Sequence, residues 1–93
     1  MQVLQTSRFA KQVKKLKANQ KIALDEAVKT IADNPLIGIQ KRGDLSFLKV
    51  YKFKMQQQQA LLAYSYDDEK IIITLLAVGT HENFYRDLKK SFP

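Results

Sequence analysis

The sequence predicts an α+β fold: an antiparallel sheet made of an N-terminal strand plus a three-stranded meander, with an N-terminal helical hairpin and a short C-terminal helix. Three observations predict it. Two early segments carry apolar residues at helical spacing, three later runs are rich in β-branched and aromatic residues, and the connections between those runs are too short for a crossover helix. With 93 residues, 45% of them hydrophobic and 27% charged, the chain suits a single domain spanning residues 1–93.

Each element has a local reason. The Val3-Leu4 pair within Gln2 to Gln5 reads as an edge strand, and Thr6 or Ser7 is an N-cap for a helix beginning at Arg8. In that helix Phe9, Val13 and Leu16 share one face, and Lys11, Lys14 and Lys15 share another. Asn19 breaks the run. From Gln20 the positions Leu24, Ala27, Val28 and Ile31 repeat at helical spacing until Asn34-Pro35 ends the second helix. Residues 36–46 hold Gly38 and Gly43 and read as a loop.

Strands are predicted over Phe47 to Lys54, Ala60 to Tyr66 and Ile71 to Val78, with turns at Met55 to Gln59 and Asp67 to Lys70. In the first of them Phe47, Lys49, Tyr51, Phe53 and Met55 share one face, and Leu48, Val50, Lys52 and Lys54 the other. Gly79-Thr80 stops the last strand, and Thr80 can cap a helix from His81 to about Lys90. Phe84 and Leu88 would pack inward from it.

Composition excludes several classes of function. The chain has no cysteine, which removes disulfides, thiolate metal sites and cysteine nucleophiles and favours a reducing compartment, the cytoplasm. Ile71 to Val78 is about half the length of a membrane span, and the first residues lack an apolar stretch of signal-peptide length, so neither membrane insertion nor export is expected. The net charge of +7 points to a polyanionic partner. That charge is uneven: residues 1–34 carry seven basic and three acidic groups, residues 35–66 five and one, and residues 67–93 four and five.

Candidate chemistry gathers late in the chain. His81, the only histidine, stands where a strand becomes a helix, where free backbone N–H groups attract a phosphate and a neutral imidazole can accept a proton. Tyr85 is one helical turn on. Lys52 and Lys54, two apart on a strand, project from one face and can neutralise a nucleic-acid phosphate or the charge on a pentacovalent phosphorus. Lys49 points to the opposite face. Arg42 and Arg86 are further RNA-binding candidates, as are Lys11, Lys14 and Lys15, although a solvated helix face is the favoured reading of those three. The acidic run Asp67-Asp68-Glu69 lies where turn residues belong, so no metal site is assigned.

The element order, the Tyr51-Lys52-Phe53-Lys54 strand and the string Leu75-Leu76-Ala77-Val78-Gly79-Thr80-His81-Glu82-Asn83-Phe84-Tyr85-Arg86-Asp87-Leu88-Lys89 together resemble the RelE/ParE superfamily of bacterial toxins. The resemblance implies the toxin of a type II toxin–antitoxin system: a metal-independent endoribonuclease, without cofactor, that cuts mRNA on the ribosome. The 2′-hydroxyl would attack the adjacent phosphate. Carried over by position, Lys52 and Lys54 match the lysines of the RelE-type strand, His81 the basic catalytic position, and Tyr85 the aromatic of histidine-bearing members. Leu61 stands where RelE-like enzymes commonly carry an arginine, which leaves one phosphate contact to Arg42 or Arg86. The implied partners are the ribosome, mRNA and an acidic antitoxin that folds as it covers the basic concave side and the final helix. Two alternatives remain open on the same residues: a ParE-like poison of DNA gyrase, and a non-catalytic basic module that binds RNA or the ribosome.

Overall fold

The computed structural model describes residues 1–81 and Phe84. In chain order it contains β1 (Gln2–Gln5), α1 (Ser7–Lys14), α2 (Ala18–Asp33), β2 (Ile39–Gln40), a 3₁₀ turn at Gly43–Leu45, β3 (Lys49–Met55), β4 (Gln58–Asp67) and β5 (Ile72–Thr80). The strands form a five-stranded sheet in the order β1-β5-β4-β3-β2. The predicted α+β class and the antiparallel meander are present; the C-terminal helix expected from His81 lies outside the described residues, apart from Phe84.

Several local expectations shift. β1 pairs parallel to β5, with Val3 opposite Ile73 and Leu4 opposite Thr74, so the sheet is mixed where an antiparallel one is predicted. Short connections dictate direction only within the meander; β1 is separated from its neighbour β5 by both helices and three strands, and no tight turn constrains it. Asn19 does not break the helical run. The break falls at Lys15–Lys17, and Asn19 sits in the first turn of α2, because the Gln20 Oε1 accepts the Lys17 N–H at 2.8 Å and closes that helix end. The predicted loop 36–46 gains the short strand β2, and the five-residue turn at Met55 to Gln59 contracts to Gln56-Gln57, with Met55 paired to Gln58. Gln56 has φ 60, the positive value that the first central position of a type II′ hairpin turn requires.

Both helices lie on one face of the sheet, α1 against β5 and α2 against β3. Phe9 from α1 and Leu24, Ala27 and Ile31 from α2 bury against Leu62, Tyr64, Ile73, Leu75 and Val78, the apolar stripe that the periodicity predicts. A second cluster occupies the opposite face: Leu45, Leu48, Val50, Leu61, Ala63, Leu76, Ala77 and Phe84. The two faces of β3 therefore divide as its alternation demands, Tyr51 and Phe53 beside the helices and Val50 away from them.

Tyr64 fastens the loop after α2 to the sheet. Its ring is fully buried, its hydroxyl donates to the Pro35 carbonyl at 2.9 Å, and it accepts the Gly38 N–H at 2.9 Å. Glycine is required at position 38, since a Cβ there would stand 2.6 Å from that hydroxyl oxygen. Burial raises the Tyr64 pKa above its ordinary value, opposed by the Gly38 hydrogen bond. A phenol whose pKa rises on folding contributes stability that is complete below the unfolded value, near 10, and is lost as pH climbs through the folded value. Tyr64→Phe is expected to lower unfolding free energy by about 1–3 kcal/mol, by leaving a buried N–H and C=O unpaired. Urea titrations should show the wild type losing stability above pH 10 more steeply than Tyr64→Phe.

Candidate phosphate-binding site

The site is assembled by pairing across β3, β4 and β5. Lys52 is opposite Leu61, and Leu61 opposite Gly79; one row on, Lys54 is opposite Gln59. The His81 N–H donates to the Gln59 carbonyl at 3.3 Å, which continues that second row past the end of β5. Directly opposed residues share a face. Lys52, Lys54, Gln59 and His81 thus all belong to the face opposite the helices, and all are exposed.

His81 reaches this face because of one irregularity. Tyr64 pairs with Leu75 and Ala63 with Ala77, so Leu76 is an extra residue, a β-bulge. Before the bulge Ile73 and Leu75 face the helices; after it Ala77 belongs to the opposite cluster and Val78 to the helix side. With the period of two restored, Gly79 and His81 follow Ala77. The placement of Phe84 agrees: a Cβ on Gly79 would point at its ring, 3.6 Å from Cδ2. Were β5 regular, with Leu76 paired in its turn and no bulge, residues 77–81 would exchange faces and His81 would lie on the helix side, away from both lysines.

Thr6 secures the bulge. Its hydroxyl donates to the Leu76 carbonyl at 3.2 Å and accepts the Phe9 N–H at 3.1 Å, so the N-cap of α1 also satisfies the irregular backbone of β5. Its own N–H donates to the Leu75 carbonyl. Beyond β1 the open edge of β5 is covered by α1, whose Gln12 Oε1 accepts the Val78 N–H at 2.8 Å.

Two clefts flank the row. One of about 450 Å³ is lined by Lys52, Phe53, Lys54, Gln57 and Gln59; the other, of about 220 Å³, by Gln58, Gln59, Thr80 and His81. β3 and β5 stand two strand spacings apart, about 10 Å, and the long lysine side chains can lean across that interval. Two ammonium groups, a carboxamide and an imidazole on one open face can bind a phosphodiester and move a proton beside it.

The other predicted residues are dispersed. Arg42 follows β2, where Lys41 N–H bonds to the Leu48 carbonyl, and β3 then carries the chain roughly 20 Å further to Lys54. Arg42 is exposed there, remote from His81. Lys11 and Lys14 on α1, and Lys15 just past its end, are exposed, on the helix side. Lys49 is half-buried on the same side as Tyr51. Tyr85 and Arg86 lie outside the described residues. Leu61 is fully buried in the second cluster with Phe84. Asp67 forms an Asx turn, its Oδ1 accepting the Glu69 and Lys70 N–H groups at 3.1 and 3.2 Å. Among the described residues no group of three or more metal-ligating side chains occurs, and no helix is long and apolar enough to cross a membrane. Gln59 is the component that the sequence reading passes over; the two-residue hairpin puts it in strand rather than in turn.

Comparison with known proteins gives concordant findings. The sequence model described as the ParE-like toxin of type II bacterial toxin–antitoxin systems matches residues 3–89. No curated protein matches the sequence. Among solved structures, the RelBE2 toxin–antitoxin complex of Mycobacterium tuberculosis is similar at 23% identity and a TM-score of 0.75, over 86% of this chain and 96% of that one. The intact Escherichia coli RelBE complex gives 23% and 0.69 over 87% and 96%, and the isolated E. coli RelE toxin 22% and 0.66 over 97% of both chains.

Thr6→Val should lower stability by about 1–2 kcal/mol, the usual cost of a lost N-cap, and Thr6→Ser should recover most of it. Equilibrium denaturation of the three proteins checks this.

Proposed function

Because the chain belongs to the ParE-like toxins of type II bacterial toxin–antitoxin systems, we propose that it is a cytoplasmic endoribonuclease that cleaves mRNA on the ribosome and so inhibits translation. The observation that carries the reading is the common face of Lys52, Lys54 and His81, which the Leu76 bulge creates. RNA cleavage by its own 2′-hydroxyl needs a proton acceptor, a proton donor and cations around the phosphate; His81 suits one of the proton transfers and the two lysines suit the cations.

In the proposed reaction the 2′-oxygen forms a bond to the adjacent phosphorus as the bond to the 5′-oxygen breaks, leaving a 2′,3′-cyclic phosphate and a 5′-hydroxyl. His81 takes the proton from the 2′-hydroxyl, and the leaving 5′-oxygen gains one from Tyr85, placed there by position in the family pattern, or from water where Tyr85 stacks on a base. Lys52 and Lys54 stabilise the negative charge that builds on the non-bridging oxygens. Rows of lysine on an open sheet face suit a single strand, whose backbone they can track.

The proposed partners include a cognate antitoxin, as in the RelBE complexes that share this fold. The exposed apolar side chains of Leu36, Ile37, Ile39 and Phe47 beside Lys41 and Arg42 suit an apolar segment with acidic flanks that folds as it binds. The ParE-like description of the matching family favours a second reading, poisoning of DNA gyrase by binding alone.

Primer extension on a translated message separates the readings. His81→Ala is expected to lower cleavage by roughly 10²–10⁴-fold, the share of general acid–base catalysis, with ribosome binding retained. Lys52→Ala and Lys54→Ala should weaken binding as well, each reducing the salt slope by about 0.7. Cleavage by His81→Ala at the wild-type rate would refute the catalytic assignment. Gyrase-dependent DNA cleavage without any RNA cleavage would establish the second reading instead.

A further inference from the structure

Gln59 is the side chain, among the described residues, that borders both clefts of the site. It is exposed, it stands opposite Lys54, and its carbonyl receives the His81 N–H. By alternation it shares the face of Leu61, the position where the resemblance calls for an arginine and where this chain instead has a fully buried apolar residue. Among the described residues the centre of the row therefore has no cation, and by register a carboxamide stands between an ammonium group and an imidazole.

We propose that the Gln59 carboxamide donates a hydrogen bond to a non-bridging oxygen of the scissile phosphate, doing from the start of β4 what a guanidinium does in relatives with an arginine on that strand. The inference deepens the ribonuclease reading and rests on it. The chemistry suits the position. An amide N–H₂ offers two donors and no charge, so it can hydrogen-bond an oxyanion beside Lys54 without adding to the salt dependence of binding. A preorganised donor aimed at an oxygen that gains charge in the transition state accelerates the reaction more than it strengthens binding. The structural part that Gln59 plays is carried by its main-chain carbonyl, which side-chain substitution leaves in place.

The test uses the full chain and four variants, with cleavage of a translated message and, separately, the salt dependence of binding to a single-stranded oligoribonucleotide whose 2′-hydroxyls are methylated. Gln59→Met keeps the volume and removes the donors; its cleavage is expected to fall about 10–100-fold, the range for a hydrogen bond to a charged group. Its salt slope should equal that of the wild type, whereas Lys52→Ala loses about 0.7. Gln59→Glu should cleave less than Gln59→Met, since it presents a carboxylate to the phosphate, and Gln59→Arg should match or exceed the wild type. Melting temperatures are recorded in parallel. The order Arg, Gln, Met, Glu in rate, independent of the order in stability, supports the assignment. Rates that follow stability, or wild-type rates in both Gln59→Met and Gln59→Glu, overturn it and leave the ribonuclease reading intact. A wild-type protein that neither binds nor cleaves RNA overturns both.

Discussion

The extra residue Leu76 in β5, held by the Thr6 hydroxyl, is the constraint on which the rest of the molecule's chemistry depends. A strand presents alternate residues to opposite faces, so a bulge that takes up one residue reverses which of the odd and even positions after it face the helices. Upstream of Leu76 the strand feeds the helix-side core through Ile73 and Leu75; downstream it carries Gly79 and His81 to the face of Lys52 and Lys54. Such an irregularity leaves a carbonyl without a ladder partner, and an N-cap hydroxyl one residue past β1 takes it up. The hydrogen bonds concerned are each worth about 1 kcal/mol, small against the burial of two cores. Their effect on geometry is nonetheless decisive, because alternation allows two outcomes and nothing between them.

The legible part of this architecture is the part governed by short-range periodicity. The stripe Leu24, Ala27, Ile31 and the face of Lys52 and Lys54 follow from spacings of 3.6 and 2, and the structure reproduces both. The bulge is another matter. Leu75-Leu76-Ala77-Val78 is an unbroken apolar run with cores on both sides, so no polar residue marks where alternation slips, and the sequence is silent on the face of His81. The parallel direction of β1 is hidden for a related reason, since a strand joined through helices carries no turn signal. The run Gln56 to Gln59 looks like a loop by composition, yet half of it is strand, because a type II′ turn needs only two residues and tolerates φ 60 at Gln56. Tyr64 and Gly38 are 26 residues apart, and nothing local announces that one must be glycine to admit the other.

Charge is distributed more broadly than the site. Lysines of α1 stand on the helix side, Arg42 at the far end of β3, and only Lys52 and Lys54 beside His81 among the described residues. A net charge of +7 raises the rate at which any polyanion meets the protein, and it falls off with salt. Residues remote from the row contribute to that field from outside the candidate site. The candidate site brings together point charges on flexible stems and a neutral amide, without the planar fork of a guanidinium among the described residues. Leu61 has gone to the core, where it packs in the same cluster as Phe84, and the floor of the site is apolar beneath polar walls.

The most direct measurement is a map of where a single-stranded RNA lies on the protein. With ¹⁵N-labelled protein at low salt and an oligoribonucleotide methylated at its 2′-hydroxyls, amide shift changes are expected at Lys52 to Lys54, Gln59 and Gly79 to His81, together with the His81 ring resonances. Lys11, Lys14 and Lys15 should be left nearly unmoved. Shifts centred on the lysines of α1, with the His81 ring unaffected, would contradict that expectation: RNA would then be held on the helix side, and the face that the bulge creates would have no part in its recognition.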